Sequence, residues 1–144
     1  MKTIAAVLLL LSVGVPAMPP LHAAPAVALM EKDAGDLDLA ATKSLFDNHS
    51  VCFVDARSEF AYYTSHIKGA RSLSDSRFDE QFPEFREKTP KTIPIVVYCI
   101  SPTCSKAKHV AEKLKKNGYS NVRIFPGGMS EWSNARFPIE VEQD

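Results

Sequence analysis

Cys99 and Cys104 lie in the stretch "YCISPTCSKAKHV", which runs from Tyr98 to Val110. Two thiols this close can clamp a metal, form a covalent staple or act as nucleophiles. No CxxC and no Cys/His spacing of the zinc type occurs in the chain, so neither a metal nor any other cofactor is expected. Nucleophilic chemistry needs the thiolate, and the surroundings of Cys99 favour it. Cys99 closes an apolar run, a short polar loop follows, and a helical pattern begins at Ser105. Loop N–H groups and the positive end of a helix dipole both stabilise a sulfur anion in such a nest. The plain alternative is an inert, buried cysteine. Cys104 carries two readings of equal weight. It is either a resolving cysteine that attacks an oxidised Cys99 to leave a disulfide, or a thiol without a role. Whether the two Cβ atoms can approach is a matter of geometry. Cys52, inside "VCFVD", reads as a packing residue.

These side chains need elements to hold them. "IPIVVYC" (Ile93–Cys99) is apolar at nearly every position, the pattern of a central parallel strand covered on both faces. After it, Ala107, Val110, Ala111 and Leu114 share one face of a helix over Ser105–Asn117, which Gly118 terminates. "VCFVD" and "NVRIF" read as further strands, with a brief one near Ala70–Leu73. Helices are expected from Asp38 as N-cap to a stop near Asn48, after Arg57, and around Met129–Trp132, where Trp132 reads as core. Phe78, Phe82 and Phe85 pin a helical connection to the core, "HIKGA" turns at Gly69, and the chain ends in an extended tail. His109 falls on a helix flank and reads as exposed. Strands alternating with helices imply an α/β fold: a central parallel sheet of about five strands with helices on both faces. Ligands of such sheets bind beyond the carboxyl ends of the strands, where Cys99 lies.

The chain has 144 residues, with 17 basic against 17 acidic side chains. That balance points away from nucleic acid as a partner. Lys2 followed by the apolar run Ile4–Val15 and small residues resembles a secretory leader, cut after Ala23 or Ala17. An uncleaved anchor is the alternative. The expected organisation is therefore leader 1–23, linker 24–35 and one domain over 36–144, placed in the periplasm or secreted. Three cysteines in an oxidising compartment leave at least one unpaired.

Three motifs, in order, resemble the rhodanese-like domain family. "FVDARSEFAYYTSHIKGARSL" carries Asp55, Arg57, Glu59, His66, Ile67, Gly69 and Ala70 at that family's first signature. "IVVYC" with its short loop is similar to the persulfide loop, and "VRIFPGGMSEW", with Gly127 and Gly128, to the closing signature. The resemblance implies a three-layer sandwich and a sulfurtransferase. In it Cys99 is catalytic, and Ile100, Ser101, Pro102, Thr103, Cys104 and Ser105 form the substrate-binding loop. Asp55, Arg57, His66, Gly69, Gly127 and Gly128 are implied to be structural. Cys99 thiolate would take sulfane sulfur from a donor such as thiosulfate, polysulfide or a persulfide, then pass it to a thiol or cyanide. The expected partners are a small sulfur-containing donor and a thiol acceptor, with a periplasmic redox or sulfur-relay protein as a further candidate.

The loop departs from the family in one respect. Many active members have Arg five positions after the cysteine, and here Cys104 stands there. A dianion loses its bidentate partner, and Pro102 removes one loop N–H, so weak use of thiosulfate is expected. The related phosphatase loop, C-x5-R, would need Arg where Ser105 stands, which disfavours phosphoryl transfer. Two other functions remain open: a dithiol redox protein using Cys99 and Cys104, and a non-catalytic module that binds a partner or carries sulfur.

Overall fold

The computed structural model describes residues 35–142; the expected leader and nearly all of the expected linker lie outside them. Leu37 donates its amide to the Ile124 carbonyl at 2.8 Å and so ties the start of the domain to its last parallel strand. Helix α1 (Leu39–Asp47) begins where Asp38, in extended conformation, accepts the Ala41 amide at 2.7 Å. Strand β1 (Cys52–Asp55) follows, then α2 (Glu59–Thr64), β2 (His66–Ile67) and β3 (Arg71–Ser72). A single 3-10 turn leads into α3 (Phe78–Lys88). The chain continues through β4 (Ile95–Tyr98), α4 (Lys106–Lys116), β5 (Val122–Phe125), α5 (Gly128–Asn134) and β6 (Ile139–Glu140).

The central sheet is parallel throughout, in the order β3-β1-β4-β5. Every residue of β4 is buried, which accounts for its unbroken apolar sequence. Its side chains alternate between two cores. Ile95, Val97 and Cys99 join Val54, Leu114 and Tyr119 on the face covered by α3 and α4. Val96 and Tyr98 join Leu45, Phe53, Phe125 and Trp132 on the face covered by α1 and α5. Helices on both sides of one sheet make three layers. The helical stripe Ala107, Val110, Ala111 and Leu114 is the buried face of α4, and Trp132 has no exposed surface. Phe78 and Phe85 are buried in α3, with Phe82 stacked on Phe78 at 5.0 Å between ring centres.

Two details differ from the sequence reading. Among the described residues the parallel sheet has four strands, where about five were expected. The remaining two, β2 and β6, pair antiparallel with each other in a separate ribbon, His66 opposite Glu140 and Ile67 opposite Ile139. Ile67 is fully buried, so the first signature and the tail are closed together over the α1–α5 face. Gly69 makes the return after β2 possible. Its φ of +77° lies in the left-handed region that favours glycine, and Ala70 N closes the turn on the Ile67 carbonyl at 2.9 Å.

Candidate active site

Cys99 leaves the carboxyl end of β4, in the middle of the sheet, with its side chain among the α3–α4 core and 3 % of its surface exposed. The next residues fold back on themselves. Ser101 is the first residue of a turn, Pro102 and Thr103 its centre, and the Cys104 amide closes it on the Ser101 carbonyl at 3.1 Å. Ser at the first position and Pro at the second are preferred in such turns because proline pre-sets φ. The Ser101 and Thr103 hydroxyls are 3.1 Å apart across it. The turn returns Cys104 over Cys99, with a Cα separation of 6.2 Å, and the two sulfurs form a disulfide. Cys52 is the free thiol, half-buried against the same core, and burial pushes its pKa up despite Arg71 nearby.

Alongside the disulfide opens a cleft of about 260 Å³. Its lining includes both cysteines, Ser101 to Ser105, Lys108 from the first turns of α4, Asp36, and Phe125–Pro126 at the end of β5. Among the described residues, the amides of Ile100, Ser101, Thr103 and Ser105 donate to no protein group. Nor does the Ser105 side chain cap α4. The loop thus presents unused N–H donors at the positive end of a helix dipole, an arrangement suited to an anion.

The loop carbonyls are held from the other side. Met129 N donates to Cys99 O and Ser130 N to Ile100 O, each at 2.9 Å. This close approach depends on Gly128, whose φ is +59° and whose missing Cβ would come within 2.5 Å of the Cys99 carbonyl oxygen. Gly127, just before it, is the N-cap of α5.

A matching family model decides the affiliation: the rhodanese-like domain model matches residues 38–135. The chain belongs to the rhodanese-like domain family. Among curated relatives, the thiosulfate sulfurtransferase GlpE of Haemophilus influenzae is 34 % identical over 88 residues, covering 61 % of this chain and 78 % of the relative. Among solved structures, the BH2092 protein of Bacillus halodurans superposes with a TM-score of 0.68 at 25 % identity, covering 80 % and 82 % of the two chains. EanB, in a cysteine-persulfide form at a tetrahedral intermediate state with ergothioneine, gives 0.64 at 26 % identity, over 74 % of this chain and 28 % of that one.

The remaining signature residues of this rhodanese-like domain do not line the cleft. Asp55, with no exposed surface, accepts the Arg57 amide at 3.0 Å, the Arg57 guanidinium at 2.6 Å (Nη2) and 3.0 Å (Nε), and the Tyr98 hydroxyl at 2.9 Å. Tyr98 in turn accepts the Ile67 amide at 3.1 Å, and Arg57 donates to the Ser65 carbonyl at 2.6 Å. Burial first, and the Asp55 charge second, push the Tyr98 pKa well above its ordinary range. His66, also buried, bridges the Tyr62 carbonyl (2.9 Å) and Glu140 (3.1 Å) and stacks on the Tyr62 ring at 3.9 Å. Gly69 donates to the same carboxylate at 2.8 Å. These contacts brace β1, β2 and the tail behind the site. His109, half-exposed, pairs with Asp75 at 3.1 Å, away from the sulfurs. Asp36 and Lys108 were not singled out from sequence. A neighbouring strand end and the exposed face of α4 were the available signals.

Proposed function

We propose that this protein is a sulfurtransferase that carries sulfane sulfur on Cys99. The observation that carries the reading is the position of Cys99: the end of the central strand, lining a cleft together with a loop whose amides at Ser101, Thr103 and Ser105 no protein acceptor uses, in a rhodanese-like domain. The similarity to thiosulfate sulfurtransferases supports the same chemistry. With the disulfide opened, Cys99 thiolate attacks the outer sulfur of a donor such as thiosulfate, and sulfite leaves. The new Cys99 persulfide is stabilised by the loop amides and the α4 dipole. A thiol or cyanide then removes the sulfur. In a steady-state assay with thiosulfate and cyanide, and with a persulfide donor and a thiol, Cys99→Ser should fall to the uncatalysed rate. A variant that retains turnover would end this reading. The leader-like N-terminus supports action in the periplasm or outside the cell, which sequencing the mature N-terminus from those fractions tests.

The disulfide favours a second reading, a dithiol/disulfide redox protein. Reduced protein that exchanges electrons with a dithiol couple but acquires no sulfur from any donor would select it.

A further inference from the structure

Sulfur held on Cys99 needs an acceptor, and the loop already places a thiol against it. Building on the sulfurtransferase reading, we propose that Cys104 discharges the Cys99 persulfide as hydrosulfide, making the protein a dithiol-dependent reductase of sulfane sulfur. Three observations carry this. Cys99 and Cys104 are bonded to each other, so the turn can bring the Cys104 sulfur within bonding reach of the Cys99 sulfur, which is the inner sulfur of a Cys99 persulfide. The turn Ser101–Cys104, closed by the Cys104 amide and pre-set by Pro102, holds that approach. The cleft touches both cysteines, and its volume of about 260 Å³ leaves room for one further sulfur.

The steps balance. Cys104 thiolate attacks the inner sulfur of Cys99–S–SH; the S–S bond to the outer sulfur breaks, HS⁻ leaves with its proton, and the Cys99–Cys104 bond forms. An external dithiol supplies the two electrons that restore the enzyme. Both cysteines line the cleft, and Cys104 is the more exposed of the two, so the incoming thiolate attacks Cys104 and expels Cys99 as thiolate. The dithiol's second sulfur then releases Cys104 and closes the dithiol's own disulfide. With thiosulfate as donor, one thiosulfate and one dithiol become sulfite, hydrogen sulfide and one disulfide. The partner is therefore a protein or small molecule bearing a vicinal dithiol.

The test is a single turnover. Reduced, desalted protein receives excess thiosulfate with no thiol or cyanide present. The wild-type protein should release one equivalent each of sulfite and sulfide, become lighter by two hydrogens, and fall from three free thiols to one, Cys52. Cys104→Ser should release sulfite alone and become heavier by one sulfur on Cys99, yielding sulfide only when dithiothreitol is added. A wild-type protein that keeps the added sulfur and releases no sulfide overturns the proposal, as does a C104S variant that releases sulfide as fast as wild type. Absence of sulfite from both proteins, with no sulfur acquired by C104S from a polysulfide either, would overturn the sulfurtransferase reading itself, and this inference with it.

Discussion

Lys108 is the cation that lines the cleft among the described residues, and Asp36 is the carboxylate that lines it. In the proposed sulfurtransferase, without an arginine fork at the loop, charge recognition of a donor would rest on these two side chains and the amides. Lys108→Ala should raise KM for thiosulfate about two- to fivefold, the range of an exposed charge contact. Asp36→Asn should lower it by a similar factor. Both effects should fade as salt rises, which initial rates at two ionic strengths will show. Asp55 acts differently, since it touches no cleft residue but satisfies Arg57 and Tyr98. Asp55→Ala would leave the buried guanidinium uncompensated and should cost about 3–5 kcal/mol of stability. Tyr98→Phe, which removes only a hydroxyl, should cost about 1–3 kcal/mol. Urea denaturation of both variants measures the difference.

The loop after β4 is held between two helices. The start of α4 has no side-chain cap, while the start of α5 grips the Cys99 and Ile100 carbonyls. The second grip rests on Gly128. Gly128→Ala puts a Cβ against the Cys99 carbonyl and forces an L side chain to positive φ, at a cost of about 2 kcal/mol or more. Because the clash falls on the loop backbone, turnover should drop by more than the stability loss predicts, and kinetics on the folded fraction test that. Gly127→Ala meets chiefly the end of Glu131, which can swing aside, and the edge of the Phe125 ring, so its effect should be milder. The places of α1, α4 and the parallel strands β1, β4 and β5 were readable because each is set locally. Asp38 accepts the Ala41 amide, an apolar stripe follows the helical period along α4, and β4 is apolar at every residue.

Over the whole molecule, the tail closes against the first signature through Glu140. The Gly69 amide first, and then His66, hold its carboxyl below the ordinary range. The folded state thus favours the carboxylate. Its contribution is present above the unfolded carboxyl range and is lost as pH falls through the lowered folded value. Glu140→Gln should melt at a lower temperature than wild type at pH 7, with the gap closing towards about pH 3. Thermal melts across that interval check the sign. This closure was not readable in advance: β2 and β6 are two residues each and lie at opposite ends of the domain, too short for any periodicity to show. Lys108 and Asp36 escaped for a related reason, since their meeting at one cleft depends on how α4 and the start of the domain pack on β5. By itself the sequence determined the α/β class, the burial of β4, Cys99 at its end and the short polar loop after it, because hydrophobic period and local polarity act between near neighbours. Only the tertiary structure decided that Cys99 and Cys104 are joined, that the tail pairs with β2, and which charges face the cleft. Those outcomes depend on distances and directions in space that residue order does not specify.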